Sequence, residues 1–432
     1  MGMLKAGVSK INITPYVGIW LSGFAARRKP SEGVGDELYA RSLVLDDGTT
    51  RLAIASCDIA TLDKGSVSSI RRLAAEASGI DEESIMIGTT HTHSGPNSSH
   101  LRGMGKLEGA WLEVLEKKVS GSIYVASRSL KEAKLGVGRG EALIGINRRE
   151  KDSDGKMRLG ENRRGPIDPE VGVLRVDGSD GKPIALVINY TCHPVVLGGS
   201  SYHISADYPG YTTGLVEKAY DGAVALFING AAGDINPLKV GGTLEDAKRF
   251  GNIVGAEAIK AFEGITTASE VNLNVARKEV VIPFENLPPA EEIKKFIEGR
   301  LKELGADEDA RRRDFLLDWA EDAIKAVKEG KTGGSEALEL QAFKVGEGAF
   351  VAIPGEVFVE IGLNLKRNSP FKHTFVCSYT NGCIGYIPTA RAFPEGGYEV
   401  DIAPKVYGLY KLTPEIEGIV TEACKELLAK LR

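Results

Sequence analysis

Long apolar runs are missing from this sequence of 432 residues. The longest ones, such as Ala185–Val187 and Ala223–Ile228, suit buried strands and are far shorter than the ~18 residues of a membrane-spanning helix. The N-terminus also lacks the apolar segment and the small-residue cleavage site of a secretory signal peptide. We therefore expect a cytoplasmic protein that makes no stable insertion into a membrane.

The sequence also has few cysteines and no excess of basic residues. The five cysteines are scattered and form no Cys-x-x-Cys pair, which argues against a disulfide framework and fits a reducing compartment. The formal net charge is −5, so nothing points to a basic surface of the kind that binds nucleic acid. The composition therefore predicts no nucleic-acid partner, and it leaves a homo-oligomer open.

Short strand-like runs alternate with helical segments along the whole chain. Leu52–Ser56, Ile184–Tyr190 and Ala223–Asn229 are predicted strands, while Trp111–Val125 has apolar residues at helical spacing. Such alternation predicts a single α/β catalytic domain over residues 1–432, with a mixed β-sheet flanked by helices.

Two consecutive, highly charged helices interrupt this alternation. They are predicted at Ala290–Leu304 and Asp307–Glu329, so that the insertion covers about residues 288–334. Such a pair can pack at the edge of a pocket, as a lid or as an oligomer contact, or it can be a solvated appendage. The sequence supports the two interpretations equally.

Two of the six histidines stand close together, in the segment Gly-Thr-Thr-His-Thr-His-Ser-Gly-Pro. Because His91 and His93 are two residues apart, their side chains would point to the same face of a strand. An imidazole pair at a strand end is a recurring way to present nitrogen ligands to a metal. A polar loop that happens to contain two histidines is the alternative.

Three further segments place polar side chains where predicted strands end. His193 directly follows an apolar strand, and strand ends are where the active sites of α/β proteins gather, although a purely structural histidine is the alternative. Glu356 follows a Pro-Gly turn and is predicted to begin a helix, where an acid can simply complement the helix dipole. The glycine-rich segment Asn229–Pro237 either lets a ligand approach backbone amides or is only a tight turn.

Together these segments resemble one family, the neutral (non-lysosomal) ceramidases, and specifically their N-terminal catalytic domain. The His-Thr-His-Ser-Gly-Pro segment, followed by the others in order, is a fairly specific signature. Longer members of the family carry a C-terminal β-sandwich domain, and we expect residues 1–432 to form the catalytic domain without it. The resemblance is carried by Ala6–Pro15, His91–Pro96, Ile146–Arg148, Asp168–Arg175, Cys192–His193, Ile204–Asp207, Gly230–Pro237, Pro354–Glu356 and Gly385–Thr389.

The resemblance implies a zinc-dependent amidohydrolase. Zn²⁺ would be held by nitrogen and oxygen ligands and no thiolate, which leaves a coordination position for water or substrate. Metal-bound water would attack the carbonyl group and cleave the C–N bond of a small N-acylated substrate. The matching residues are His91, His193, Glu356 and Tyr386 as metal ligands, His93 as the proton shuttle to the leaving amine, and Arg148 and Tyr398 as contacts of the reacting carbonyl.

One position departs from the family pattern. Ceramidases have a serine in the Gly-Asp-x-Ser-Pro turn, where this chain has Asn236. If the serine were an obligatory nucleophile, activity would be lost; if metal-bound hydroxide attacks, Asn236 can instead hydrogen-bond the substrate, and we favour this second interpretation. A zinc esterase or lactonase, or a catalytically inactive metal-binding homologue, is the alternative. A small, water-soluble substrate is predicted from this change and from polar segments expected at the pocket, namely Asn97–His100, Asn147–Glu150, Gly198–His203 and Arg391–Tyr398.

Overall fold

Two β-sheets stacked face to face form the centre of the molecule. The structure is a computed structural model, and it describes residues 3–25, 27–303, 310–408 and 410–432. In chain order the strands are β1 (Lys5–Asn12), β2 (Gly33–Val34), β3 (Tyr39–Asp46), β4 (Arg51–Cys57), β5 (Ile85–Thr89), β6 (Lys131–Glu141), β7 (Gly145–Lys151), β8 (Met157–Asn162), β9 (Glu170–Gly178), β10 (Pro183–Tyr190), β11 (His203–Ile204), β12 (Val224–Asn229), β13 (Ile235–Pro237), β14 (Leu273–Pro283), β15 (Ser335–Val345), β16 (Gly348–Ala352), β17 (Glu356–Val357), β18 (His373–Cys377) and β19 (Tyr386–Ile387). The helices are α1 (Lys64–Ser78), α2 (Gly109–Arg128), α3 (Asp207–Ala219), α4 (Leu244–Glu263), α5 (Ala290–Glu303), α6 (Ala310–Lys328), α7 (Val359–Arg367), α8 (Ala392–Glu395), α9 (Ala403–Tyr407) and α10 (Ile416–Lys430). A 3-10 turn covers Glu82–Ser84, and a π-helical turn covers Tyr398–Ile402.

The larger sheet has eight strands in the order β12-β10-β9-β6-β1-β3-β4-β5. Its neighbours run antiparallel except at the two ends, where β10 and β12 are parallel, as are β4 and β5. Parallel neighbours need a crossover connection, and each pair has a helix in it: α1 between β4 and β5, and α3 between β10 and β12. The sheet is therefore mixed, as the sequence predicts.

The smaller sheet has four strands in the order β14-β15-β16-β18 and covers one face of the larger sheet. Because side chains alternate along a strand, Leu43 and Leu45 point into the layer between the sheets, whereas Val44 points to the opposite face. Phe343 and Phe350 close this layer from the side of the smaller sheet.

Helices cover both outer faces of the paired sheets. α1 and α2 pack on the half of the larger sheet that contains β3, β4 and β5, and α3 and α4 pack on the half that contains β9, β10 and β12. α7 and α10 pack on the outer face of the smaller sheet. The result is a four-layer α/β/β/α arrangement, which confirms the predicted fold class. None of the described helices is both long enough and apolar enough to cross a membrane.

α5 and α6 are the inserted helical pair. They follow β14 and precede β15 in the sequence, and they pack side by side. The rings of Phe296 and Trp319 meet edge to face, with centroids 6.3 Å apart. Both rings join Val406 of α9 in an apolar cluster of their own. The helix ends predicted at Leu304 and Asp307 lie outside the described residues.

Candidate active site

The candidate site lies where parallel strands of both sheets end. His91 follows β5, His193 follows β10, and Glu356 follows β16 after a short turn. These three residues are separated by 102 and 163 positions in the sequence, yet their side chains are in contact. The carboxyl ends of parallel strands are the usual location of active sites in α/β proteins, and this protein follows that rule.

His91 is presented by an uncommon backbone conformation. β5 ends at Thr89, and His91 has φ = 66°, in the left-handed region that few non-glycine residues adopt. Its ring stacks on Tyr379 with centroids 3.8 Å apart, and its Nδ1 lies 2.9 Å from the carbonyl oxygen of Ala60. The expectation that strand alternation directs His91 and His93 to one face is therefore wrong, because the chain has left the strand and a backbone turn aims them.

His193 is held by the glycine-rich segment that follows β12. Its Nδ1 lies 2.5 Å from the carbonyl oxygen of Ala232, and the ring is fully buried. Burial and the positive charge of Arg148 lower the pKa of His193 to about 4. The imidazole is therefore neutral near pH 7, and the segment Asn229–Pro237 supplies the carbonyl group that orients it.

Glu356 and Tyr386 are direct neighbours, because they are register partners in the two-stranded parallel sheet of β17 and β19. One carboxylate oxygen of Glu356, Oε2, lies 3.0 Å from Nε2 of His193 and 3.2 Å from Nε2 of His91. The hydroxyl of Tyr407 donates to the other oxygen, Oε1, at 2.6 Å. The prediction that Glu356 begins a helix is wrong, since it lies in β17 and α7 begins three residues later. Its carboxylate points at two histidines and not at a helix terminus.

The donor atoms around Glu356 fit a metal cation. His91 and His193 both direct Nδ1 at a backbone carbonyl, so each Nδ1 carries the proton and each Nε2 presents a lone pair. The two Nε2 atoms lie 3.3 Å apart and face a buried carboxylate oxygen. Electron-rich atoms held this close repel one another unless a cation lies between them. Nitrogen and oxygen donors of this kind match the ligands of catalytic zinc sites.

His93 is the third histidine of the cluster. Its Nε2 lies 3.0 Å from Nε2 of His91, and donor atoms of His91, His93 and His193 all lie within 4.8 Å of one another. Its Nδ1 is buried and has no hydrogen-bond partner among the described residues. Burial and the two neighbouring histidines lower the pKa of His93 well below its usual value. This geometry suits a metal ligand as well as a group that transfers protons beside the metal.

Arg148 lies beside the same atoms. It belongs to β7, which pairs with β13 and thereby brings Asn236 next to it. Its Nη2 donates to the hydroxyl of Tyr386 at 2.9 Å, and its Nη1 donates to Oδ1 of Asn236 at 3.3 Å. Nη1 also lies 3.5 Å from Nε2 of His193. The guanidinium group therefore connects Asn236 with the histidine cluster.

Sequence reasoning missed Glu399 and Tyr407. Glu399 is 2% exposed and accepts hydrogen bonds from Nε of Arg148 at 2.9 Å and from Nη1 of Arg149 at 2.8 Å. It lies in the π-helical turn that begins at Tyr398, and such turns are frequent at functional sites. The neighbouring Tyr398 was the only signal that could have pointed to Glu399. Tyr407 has no signal in the sequence, because only the fold brings its hydroxyl to the carboxylate of Glu356.

A cavity of about 1210 Å³ opens above these side chains. The helical pair of α5 and α6 packs at the edge of this cavity. Phe296, Phe315 and Leu316 form much of the apolar surface on that side, which we call the outer wall. The floor of the cavity is formed by His93, Arg148, Asn236, Tyr386 and Tyr398.

The polar segments expected at the pocket are mostly elsewhere. Asn97–His100 and Gly198–His203 do not line this cavity. Asn147–Glu150 contributes only Arg148, and Arg391–Tyr398 contributes only its last four residues. The expectation is therefore wrong about most of the segments that line the cavity. The lining combines apolar side chains of the inserted helices with charged side chains from other segments, among them Lys156, Arg158, Glu161 and Lys239.

Comparisons with known proteins agree with this fold. The family model described as neutral/alkaline non-lysosomal ceramidase, N-terminal, matches residues 4–258 of the chain. A neutral ceramidase of Pseudomonas aeruginosa is 23% identical over an alignment 465 positions long. The alignment covers 91% of this chain and 68% of that protein. Neutral ceramidase B of Dictyostelium discoideum is 25% identical over 250 residues, which cover 52% of this chain and 34% of that protein. The crystal structure of the Pseudomonas aeruginosa neutral ceramidase shares the fold, with a TM-score of 0.75 at 20% identity over 100% of this chain and 75% of that chain.

Proposed function

This chain belongs to the family of neutral/alkaline non-lysosomal ceramidases, and on that premise we propose that it is a zinc-dependent hydrolase that cleaves the C–N bond of an N-acylated substrate. The observation that carries the proposal is the convergence of His91, His193 and Glu356 beside the guanidinium group of Arg148. Electron-rich ligand atoms bind a cation, and a fixed positive group next to them stabilises a carbonyl oxygen that gains negative charge. Both features accelerate the hydrolysis of an amide.

We assign the metal to His91, His193, Glu356 and Tyr386. When bound, the ion supplies Lewis acidity, which polarises a carbonyl group and makes a water molecule more acidic. Burial raises the pKa of Tyr386 well above its usual value, and Arg148 opposes this rise. The phenol would therefore ionise only with the additional charge of a metal, so that its role as a ligand depends on occupancy of the site.

Arg148 and Tyr398 are the groups that we propose contact the reacting carbonyl. Both residues line the cavity. Glu399 accepts a hydrogen bond from Nε of Arg148, which leaves the Nη atoms directed at the other side chains of the floor. A guanidinium that is already fixed in place needs no rearrangement when negative charge develops on the oxygen. Asn236 is bonded to Arg148, and its amide suits hydrogen bonding to a polar group of the substrate.

His93 is the group that we propose moves the proton. Its ring lines the cavity, and its lowered pKa keeps the imidazole neutral and able to accept a proton. Cleavage of an amide needs a proton on the leaving nitrogen, because an amide anion is a very poor leaving group. A histidine between the metal site and the open cavity is well placed to deliver it.

The substrate is proposed to be an N-acyl compound with an apolar acyl portion. The cavity exceeds the ~300–1,000 Å³ of most small-molecule pockets, and its outer wall is apolar. The relatives are named neutral ceramidases, so long-chain ceramide is the first compound to compare. A smaller, water-soluble substrate stays a prediction. It now depends on Asn236, because the polar segments expected at the pocket contribute few residues to the cavity.

Metal content and turnover, measured on the same preparations, test this function. The protein would be stripped with a chelator, reconstituted with Zn²⁺, Mg²⁺ or Ca²⁺, and assayed with long-chain ceramide, short N-acyl compounds, matched esters and lactones. We expect amide hydrolysis that is lost on chelation and restored by zinc. Faster cleavage of esters or lactones would identify an esterase or lactonase, and bound metal without any turnover would identify a catalytically inactive homologue.

A further inference from the structure

The outer wall holds a cation that the proposed chemistry does not explain. Lys405 belongs to α9 and lines the cavity beside Phe296 and Ile402. Its ammonium group lies over the rings of Phe296 and Trp319, 4.6 and 4.8 Å from their centroids. The group also donates to the backbone carbonyl of Asp401. A positive charge is thus set into an apolar and aromatic surface.

Lys405 forms no salt bridge within the part of the chain that the structure describes. Other cations around the cavity do, since Lys239 pairs with Asp246 at 2.8 Å and Arg158 pairs with Asp152 at 3.0 Å. Burial lowers the pKa of Lys405 to about 8, and the carboxylates of Asp401 and Glu285 oppose this shift only in part, from beyond ion-pair distance. The cavity therefore contains a half-buried ammonium group that no carboxylate of the described residues contacts directly.

A mechanical link between α9 and the helical pair is the simplest structural explanation for this lysine. Cation–π contacts offset only part of the free energy that is lost when an ammonium group without a direct ion-pair partner is partly withdrawn from water. A methionine would fill the same space against the two rings without that cost. The link alone therefore does not account for a lysine at position 405, but an anion that enters the cavity would.

We propose that Lys405 is an anion-recognition residue of the active-site cavity, and that the substrate is an N-acyl compound carrying a carboxylate at a distance from the scissile amide. This inference rests on the proposed amide hydrolysis and narrows its substrate class. The aromatic rings beside Lys405 limit its contact with water, which strengthens an ion pair between its ammonium group and a carboxylate. Arg300 lines the same cavity and adds positive charge near Lys405. The hydrocarbon between amide and carboxylate would lie along the outer wall.

Two matched pairs of substrates separate the effect of charge from that of hydrocarbon. In one pair the carboxylate is on the amine side: N-lauroyl-6-aminohexanoate against its methyl amide. In the other it is on the acyl side: a monoamide of dodecanedioic acid against the same amide of dodecanoic acid. We expect kcat/KM for at least one carboxylate compound to exceed that of its neutral partner by about 10- to 100-fold, the usual effect of a hydrogen bond to a charged group.

Variants assign this preference to the side chain. Lys405→Met should raise KM for the preferred carboxylate compound by the same factor and leave the neutral compound unchanged, while Lys405→Arg should retain most of the preference. Lys239→Met is the matched control, because Lys239 lines the cavity but already has a carboxylate partner. A purely structural role of Lys405 would instead change both members of a pair equally, and this result would overturn the proposal.

Binding gives a readout that does not depend on turnover. Calorimetry with zinc-loaded protein would compare dodecanedioate with dodecanoate, which share one carboxylate and differ in the second. We expect dodecanedioate to bind at least about 10-fold more tightly to the wild type and equally to Lys405→Met. If no N-acyl compound is hydrolysed, the proposed function fails, but this difference in affinity would still support the anion site. Equal affinities in the wild type would contradict it.

Discussion

The floor and the outer wall of the active-site cavity are built in opposite ways. On the floor, Arg148 holds polar side chains together through hydrogen bonds to Tyr386, Asn236 and Glu399. On the outer wall, apolar side chains are held by packing, and the ammonium of Lys405 has aromatic rings and one backbone carbonyl around it. The groups that we propose take part in the reaction are therefore held by directional hydrogen bonds, whereas the surface that we propose contacts the rest of the substrate is held mainly by apolar packing.

This contrast follows from the elements that carry the two surfaces. The floor comes from the small paired strands β7, β13 and β19, from the loop after β5 and from the π-helical turn, and strand ladders fix most of this backbone. The outer wall comes from α5 and α6, which join the rest of the molecule through an apolar cluster of their own. We therefore expect changes in the floor to alter metal binding and kcat, and changes in the outer wall to alter KM.

Glu356→Gln should have the largest effect. Glutamine keeps the size of the side chain but removes the negative charge that faces His91 and His193, so we expect loss of bound zinc and of all detectable hydrolysis. Metal analysis by atomic emission and an activity assay would be made on the same sample. Glu360→Gln is the control, because this nearby acid pairs with Arg391 away from the site. A full complement of zinc in Glu356→Gln would remove Glu356 from the ligand set.

His93→Ala tests whether the third histidine binds metal or moves protons. We expect zinc content to stay at the wild-type level and kcat to fall by about 10²–10⁴, the usual contribution of a general acid or base. His100→Ala is the matched control, since the side chain of His100 is 82% exposed and is bonded to Asp63. If His93→Ala loses its zinc, His93 is a ligand and its proposed role in proton transfer is wrong.

Glu399→Gln weakens the support of the floor and should have an intermediate effect. Arg148 and Arg149 would both lose a buried charged partner, so we expect kcat to fall by about 10-fold or more and stability to fall by about 3–5 kcal/mol. Kinetics and thermal unfolding would be measured together. Glu395→Gln is the control, because Glu395 reaches Arg149 only at 3.4 Å and is more exposed. A lower melting temperature with unchanged kcat would mean that Glu399 stabilises the fold only.

Phe296→Ala should have the smallest effect, and it examines the outer wall. Removing the ring exposes part of a bound acyl chain to water, so we expect KM for long-chain substrates to rise about 3- to 10-fold while kcat and short-chain KM stay unchanged. Leu317→Ala is the control, since Leu317 lies on α6 and is 46% exposed. An equal rise of KM for long and short chains would show that the ring does not contact the acyl chain.

Buried strands were the part of the fold that the sequence predicted best. Ile184–Tyr190 and Ala223–Asn229 were each within one residue of the strands observed at Pro183–Tyr190 and Val224–Asn229. Such runs are short, apolar and bounded by polar or glycine residues, so their pattern depends little on the rest of the molecule.

Predictions failed where a distant segment determined the local structure. A Pro-Gly turn followed by Glu356 is typical of a helix start, but Tyr386 pairs with that segment and holds it as a strand. The prediction of which segments line the cavity failed for a related reason. The pattern of α5 and α6 shows which side chains are apolar, yet it does not show whether an apolar face meets the core or a substrate cavity.

The sequence by itself determined the chemical groups of this protein. It supplied two histidines near one strand end, a third after another, an acid after a Pro-Gly turn, and a resemblance that joined them into one family. Only the tertiary structure decided that His91, His193 and Glu356 touch, that Glu399 and Tyr407 support the site, and that apolar side chains of the inserted helices line part of the cavity. Side-chain chemistry is a property of each residue, whereas contact between residues more than 100 positions apart depends on how the two sheets and the inserted helices pack.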